Sequence, residues 1–215
     1  MGNAVHRLVE QQAARRPDAV AVVDGSVDGG RTLTFRELNG RANTLARCLK
    51  ESGLTRGALA FVRLPRSADL AVVLLAVLKA GAAYAWVEPG SPDDVEMPAS
   101  FCIAGRAARP ADLAASEERC TAIDITGALT ECMRHPSANL PVLTRGTDVA
   151  CVLPDAQGRP HVLVPHETIA SLPQPSSGQV VAPQVTAAGA LDLWVGLMSG
   201  ATLTLGVDKP SSAAA

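Results

Sequence analysis

The stretch LAFVRLPRSADLAVVLLAVLKAGAAYAWVEP, residues 59–89, decides the fold class of this chain. Residues 59–64 are mostly apolar and predict a strand. Residues 67–80 are apolar on almost every side, so they predict a buried helix. Gly81 is suited to end that helix, and residues 82–89 predict a second strand that stops at a proline.

Strands and helices also alternate on the N-terminal side of this stretch. Residues 5–13 carry apolar side chains at helical spacing, and residues 19–24 predict a strand. The sequence TFRE, residues 34–37, is a capping box, and it predicts a helix whose left-handed end suits Gly53. The order β-α-β-α-β predicts an α/β fold with a doubly wound, mostly parallel sheet flanked by helices.

The second half of the chain carries weaker signals. We predict one domain over residues 1–207 and a disordered tail over residues 208–215. Residues 133–147 resemble a loop. The remaining predicted elements are strands at 101–105, 121–125, 148–153, 162–164, 179–185 and 201–207, and helices at 166–172 and 187–200.

The composition excludes several classes of partner. The chain has 215 residues, is 47% hydrophobic and carries a net charge of −2, so it lacks the basic excess of a nucleic-acid-binding protein. Its longest apolar stretch, LAVVLLAV, is too short to cross a bilayer. The N-terminal segment is amphipathic and does not resemble a signal peptide. We therefore expect a cytoplasmic protein that binds neither nucleic acid nor membrane.

The cysteines and histidines show no metal-binding spacing. The five cysteines include no CxxC pair, and we expect reduced, mostly buried thiols. The histidines do not cluster with them in sequence, so no metal site is expected. These residues are Cys48, Cys102, Cys120, Cys132 and Cys151, and His6, His135, His161 and His166.

Three segments together resemble a known family. LTFREL (33–38), LKAGAAYAWVEPGSP (78–92) and LMSGATLTL (197–205) are similar, in that order, to conserved segments of the adenylation domains of nonribosomal peptide synthetases. Residues 4–24 look like the opening helix and strand of those domains, and residues 162–172 like the segment after their phosphate loop. The resemblance implies the first large subdomain of an adenylate-forming enzyme.

The turn PDAQGRPH, residues 154–161, departs from that family. Its members have a Ser/Thr/Gly-rich loop here that ends in Pro-Lys-Gly, in which backbone N–H groups, hydroxyls and a lysine hold phosphate. In this chain Gly158, Arg159 and Pro160 still fit the end of the loop, but Asp155 is negative and His161 occupies the lysine position unless that position is deleted. We interpret the turn as a connector; the alternative is a diverged phosphate site that uses Arg159.

Two further departures concern the substrate and the length. The family resemblance implies an aspartate that binds the substrate amino group, and the matching positions are Thr186 and Ala187. Asp192 is the alternative anchor. The chain has about half the length of a family domain, which implies a truncated domain without the later segments that hold ribose and carry the catalytic lysine.

These departures predict a catalytically inactive, truncated domain that acts as a structural or docking unit in a peptide synthetase assembly line. On this interpretation it is not an enzyme, it has no catalytic, cofactor-binding or metal-binding residues, and it takes no cofactor. The expected partners are condensation, heterocyclisation, carrier or oxidase domains of the synthetase, and a second copy of the chain.

The alternatives to that function remain open. One is a half-enzyme that another segment completes for ATP-dependent amino-acid activation. Others are a small-molecule binder that uses Arg159, His161 and His166, which are otherwise surface residues, and a relic without its own function. If Trp194 is exposed, the helix around it, residues 190–198, is a docking face; if not, Trp194 belongs to the core.

Overall fold

The computed structural model describes residues 4–25, 31–87, 89, 101–105, 121–141, 144–154, 160–173, 179–181 and 187–205. The α-helices are Val5–Arg15 (α1), Phe35–Glu51 (α2), Ala68–Ala80 (α3), Ile125–Glu131 (α4), His166–Ala170 (α5) and Ala187–Ser199 (α6), and Cys132–Arg134 form a 3-10 turn. The strands are Val20–Asp24 (β1), Thr32–Thr34 (β2), Leu59–Arg63 (β3), Ala83–Trp86 (β4), Phe101–Ala104 (β5), Thr121–Asp124 (β6), Val149–Pro154 (β7), Pro160–Pro165 (β8), Gln179–Val181 (β9) and Thr202–Leu205 (β10).

The predicted α/β class with a mostly parallel sheet flanked by helices is confirmed, but the strands form two sheets. One has the order β2-β1-β10-β9, and the other has the order β6-β5-β3-β4-β7-β8. The expectation that β1, β3 and β4 share one sheet is therefore wrong. β2 pairs antiparallel with one edge of β1, and β10 pairs parallel with the other edge, so neither edge is left for β3.

The helix ends match the signals in the sequence. The Thr34 hydroxyl accepts the N–H of Glu37 at 3.2 Å, and the Glu37 carboxylate accepts the N–H of Thr34 at 2.8 Å, which completes the predicted capping box at the start of α2. Gly53 follows α2 with φ 99°, and Gly81 ends α3 with φ 87°. Both positions need the left-handed conformation that glycine adopts without a steric penalty.

Helix α3 is the centre of the core. It packs against α1, α2, β1 and β4, so almost all of its residues are buried, as its uniformly apolar sequence predicts. Contacts at its N-terminus tie it to the four-stranded sheet. The Asp24 carboxylate at the end of β1 accepts the N–H of Ala68 at 3.0 Å, and Asp69 forms an ion pair with Arg31 beside β2.

A short helix and a disulfide were not predicted. α4 contains Gly127 and covers only seven residues, which gives little helical periodicity, yet Ile125 at its start is buried in the core. Cys48 on α2 and Cys132 in the 3-10 turn form a disulfide with a Cα–Cα distance of 5.8 Å. The expectation of reduced thiols is wrong for this pair, because the fold brings together two cysteines 84 positions apart.

The predicted domain end at residue 207 and the tail 208–215 lie outside the described residues.

Candidate active site at the carboxyl edge of the six-stranded sheet

The carboxyl ends of five parallel strands meet at one edge of the six-stranded sheet. β3 pairs in parallel with β4 and β5, β4 pairs with β7, and β5 pairs with β6. The chain passes from β3 to β4 on one side and then to β5 on the other side, so the strand order reverses beside β3. Open α/β sheets bind ligands outside the carboxyl ends of their strands at such a reversal. This edge is therefore the candidate site.

The turn that resembles the phosphate loop starts at this edge. β7 and β8 are antiparallel, with Val152 opposite Leu163 and Leu153 opposite Val162. The predicted strand–turn–strand arrangement is confirmed for its two strands. Asp155, Gly158 and Arg159 lie outside the described residues, as do the side chains of Pro160 and His161 in β8.

Two arginines lie at and just after the end of β3, beside aromatic rings. The guanidinium carbon of Arg66 lies 5.6 Å from the ring centroid of Trp86, and that of Arg63 lies 5.8 Å from the ring centroid of Phe61. The indole N–H of Trp86 donates to the Leu64 carbonyl at 2.9 Å, which ties the end of β4 to the end of β3. Sequence reasoning did not select these arginines, although Arg63 lies within the predicted strand 59–64 and Arg66 follows that strand closely.

A buried polar contact holds β7 against β4 and α6. Tyr84 and Cys151 are register partners on β4 and β7, and the indole N–H of Trp194 on α6 donates to the Tyr84 hydroxyl at 2.6 Å. Burial raises the pKa of Cys151 to about 12 and also raises the pKa of Tyr84. Both groups are therefore neutral near pH 7, and they position the strand that leads into the turn.

Trp194 is a core residue. It is 0% exposed, and Leu197 one turn later is also fully buried. The sequence predicted a docking face on this helix only if Trp194 is exposed. Because Trp194 is buried, that docking face is not present. A helix with an exposed apolar docking face and a helix buried in the core have the same sequence pattern. The packing of α6 against α1, β7 and β10 shows that this helix is buried.

Two histidines form a buried pair below the site. The His166 Nδ1 atom accepts the N–H of Val5 at 3.2 Å, and the rings of His166 and His6 meet edge to face with centroids 5.7 Å apart. Burial lowers the pKa of His6 to about 3 and that of His166 to about 4, and the charge of Lys79 lowers the His6 value further. The expectation that His166 is a surface residue is wrong, because α1 covers it.

A buried ion pair lies close to the histidines. Lys79 on α3 is buried and pairs with Glu10 on α1. Burial lowers the pKa of Lys79, and the neighbouring Glu10 carboxylate opposes that shift.

The structure describes only some of the residues that match the substrate-binding aspartate of the family. Thr186 lies outside the described residues, and Ala187 begins α6 with a side chain that is also outside them. Asp192, the alternative anchor, lies on α6 and is half-buried. Over the described ranges, no three His, Cys, Asp or Glu side chains are grouped to hold a metal ion. The helices in the same ranges include none long and apolar enough to cross a membrane.

Comparisons with known proteins match the N-terminal part of the chain to one family. Residues 9–97 match the family model described as AMP-binding enzyme. Surfactin synthase subunit 2 of Bacillus subtilis is 50% identical over 93 residues, which cover 43% of this chain and 2% of that protein. Tyrocidine synthase 3 of Brevibacillus parabrevis is 48% identical over 91 residues, which cover 42% of this chain and 1% of that protein.

The same relationship extends over the whole fold in solved structures. The N-terminal subdomain of Klebsiella oxytoca NpsA, in complex with 3-hydroxybenzoyl-AMSN, superimposes with a TM-score of 0.79 and 26% identity over 97% of this chain and 55% of that chain. The fold of this chain is similar to the N-terminal subdomain of NpsA. An artificial fusion of NpsA with ThdA, an adenylation–PCP di-domain, also superimposes, with a TM-score of 0.78 and 25% identity over 94% of this chain and 39% of that chain.

The comparisons overturn one prediction about this chain. We expected that it is not an enzyme, but the family model that matches residues 9–97 is described as an AMP-binding enzyme and the matched relatives are named synthases and synthetases, so the similarity points to enzyme-type activity. The expectation gave too much weight to missing hydroxyls and a missing lysine. Backbone N–H groups can hold phosphate whatever side chains a loop carries. The chain spans only 1–3% of the synthetases it matches, and 42% of the NpsA chain in complex with 3-hydroxyanthranilyl-AMSN.

Proposed function

We propose that this chain supplies the N-terminal part of an adenylation domain that activates a carboxylic acid with ATP in a nonribosomal peptide synthetase. In that reaction a carboxylate oxygen attacks the α-phosphorus of ATP, an acyl adenylate forms, and pyrophosphate leaves. The observation that carries the proposal is the β7–β8 hairpin at the carboxyl edge of the sheet, in a fold shared with NpsA. The parts of the relatives that this chain does not cover would complete the site.

The described residues fit this role through position. β7 ends at the edge of the sheet where Arg63 and Arg66 lie, and guanidinium groups are donors that suit phosphate oxygens. The contact between Trp194 and Tyr84 fixes β7, from which the turn starts. A strand that is held in one position before ATP binds is a preorganised support, and preorganised groups are what stabilise developing charge.

The proposal predicts acid-dependent ATP–pyrophosphate exchange by the complete protein that carries this chain. The assay uses a panel of amino and aryl acids, and we expect exchange above background with one class of acid. Arg159→Ala removes the basic side chain of the turn and should lower exchange at least tenfold, since one lost donor at such a site typically costs about 10²–10³ in rate.

The matched control is Arg36→Ala, because Arg36 is an exposed arginine paired with Asp18 on another part of the surface. This variant should retain the full exchange rate. Background exchange with every acid, in a protein that unfolds cooperatively, would contradict the proposed activity. Normal exchange in Arg159→Ala would contradict only the role of the turn.

We also propose that β8 provides a contact surface for the neighbouring synthetase domains. β8 is the edge strand of the six-stranded sheet, and its Val162 and Leu163 are 50% and 64% exposed. Adjacent exposed apolar residues on a sheet edge favour contact with another chain. The adenylation–PCP fusion of NpsA supports a carrier domain as one such neighbour.

The contact surface predicts that Leu163→Asp weakens binding to the carrier and condensation domains of the same protein. We expect at least a tenfold increase in dissociation constant by calorimetry, because the charge would lose its hydration at an apolar contact. Leu172→Asp, at a half-buried position past α5, tests whether any apolar-to-acid change has this effect. If Leu163→Asp and the unmodified protein bind these domains with equal affinity, β8 is not the contact surface. If the chain instead self-associates through β8, the unmodified protein should form a dimer that Leu163→Asp disrupts.

A further inference from the structure

We propose that Cys48 and Cys132 form a reversible thiol–disulfide site that fastens residues 132–140, here called the strap, onto helix α2. The site accepts a dithiol reductant in its oxidised form and a low-molecular-weight disulfide in its reduced form. The two Cα atoms are 5.8 Å apart, which lies within the range of protein disulfides. The proposal does not depend on the adenylation activity.

Polar contacts hold the strap beside the disulfide. They come from side chains spaced four residues apart on α2, which therefore form one stripe along the helix. The contacts are Arg47 Nη1 to the Pro136 carbonyl at 2.7 Å, Asn43 Nδ2 to the Ser137 carbonyl at 2.7 Å, Asn39 Nδ2 to Asn139 Oδ1 at 2.9 Å, and His135 Nε2 to Glu51 Oε2 at 3.4 Å.

These contacts make the site reversible. They do not involve the sulfur atoms, so they keep the strap on α2 when the disulfide opens. Two thiols held close together react at a high effective concentration, and the disulfide can form again. A pair that separated after reduction would instead expose each thiol to independent oxidation.

The other described cysteines do not compete with this pair. Cys102 and Cys151 are buried within strands β5 and β7 and are free thiols. Burial raises the pKa of Cys151 to about 12, so little thiolate is present to attack a disulfide. Cys48 is only half-buried, whereas Cys132 is fully buried, so a reductant reaches the Cys48 sulfur first.

The exchange transfers two electrons. A thiolate of the dithiol attacks Cys48 Sγ, a mixed disulfide forms, and Cys132 leaves as a thiolate that takes up a proton. The second thiol of the reductant then attacks the mixed disulfide, which releases Cys48 as a thiol and the reductant as its own disulfide. In the opposite direction, oxidised glutathione accepts the two electrons and leaves as two glutathione molecules.

The strap follows α4 in the chain and precedes β7. The oxidised form adds a covalent link between the strap and α2, and reduction removes that link while the polar contacts remain. We expect reduction to increase hydrogen exchange in residues 132–140 and to leave α3 unchanged.

The test is a redox titration of the whole chain in glutathione buffers, followed by acid quenching, alkylation and peptide mapping. Cys48 and Cys132 should lose their alkylation together in one two-electron transition, while Cys102 and Cys151 remain alkylated after unfolding. Reduction should lower the melting temperature by about 5–15 °C, the range expected for a native disulfide in a chain of this size.

The variant Cys48→Ser/Cys132→Ser should melt at one temperature with and without reductant, and Cys102→Ala, the matched control, should keep the full response. Alkylation of Cys48 and Cys132 in every buffer would overturn the proposal. So would a disulfide that millimolar dithiothreitol does not open in the folded protein, or a transition with no change in melting temperature or exchange.

Discussion

Leu75→Asp should abolish the cooperative unfolding transition of this chain. Leu75 lies in the middle of α3, is 0% exposed and belongs to a helix that is buried on nearly every side. Truncating a buried leucine to alanine alone costs about 2–5 kcal/mol. A carboxylate at this position adds the cost of an unpaired buried charge, so the sum approaches the whole stability of a typical domain, about 5–15 kcal/mol.

The measurement is thermal unfolding followed by circular dichroism and by tryptophan fluorescence. Leu163→Asp makes the same chemical change at a position that is 64% exposed, and it should change the free energy of unfolding by less than about 1 kcal/mol. A cooperative transition in Leu75→Asp near that of the unmodified chain would show that α3 is not the centre of the core.

Acidification from pH 8 to pH 5 should destabilise the chain by about 4 kcal/mol. His6 and His166 have an ordinary pKa of 6.5, and burial lowers the folded-state values to about 3 and about 4. The unfolded chain therefore binds protons below pH 6.5 that the folded chain does not bind. Each histidine contributes up to about 1.4 kcal/mol per pH unit in this window, or about 2 kcal/mol by pH 5.

The pH range in which stability is lost distinguishes the effect of the histidines from that of the carboxylates. Backbone and side-chain hydrogen bonds lower the pKa of Glu37 and Asp148 below 4.5 and 3.8, so the stability that these two groups add is lost mainly below pH 5. Charges on Lys79 and Arg7 disfavour a charged His6. The charge of Asp148 acts on the other histidine and opposes the lowering of the His166 pKa by burial.

The test is denaturant unfolding at pH 8, 6.5 and 5. His6→Phe keeps an aromatic ring but removes one titrating group, so it should halve the loss of stability between pH 8 and pH 5. At pH 8, where both histidines are neutral in either state, the variant serves as its own control for packing. An unmodified chain whose unfolding free energy is the same at pH 8 and pH 5 would contradict the buried neutral pair.

Most of the secondary structure could be predicted from the sequence, and most of the candidate site could not. The Thr34–Glu37 capping box and the stop at Gly81 were predicted because each depends on backbone and side-chain groups within one helical turn. The hairpin strands β7 and β8 followed from two apolar runs around a polar turn. Arg63 and Arg66 were missed, because a single charged residue at or just after the end of a strand has no periodic signal of its own.

The family and the α/β class followed from local patterns and from three short segments, since both depend on which elements occur and in what order. Other features depend on residues that are far apart in the sequence. The disulfide joins Cys48 and Cys132, 84 positions apart, and Trp194 contacts Tyr84 over 110 positions. The division into two sheets depends on the pairing of β1 with β10, from opposite ends of the chain. The burial of His166 by α1 joins residues 161 positions apart. Such contacts form only when the whole chain packs, because strand edges and helix faces choose among all available partners at once. Apolar runs predict that a surface is buried, but only the tertiary structure determines which element packs against it.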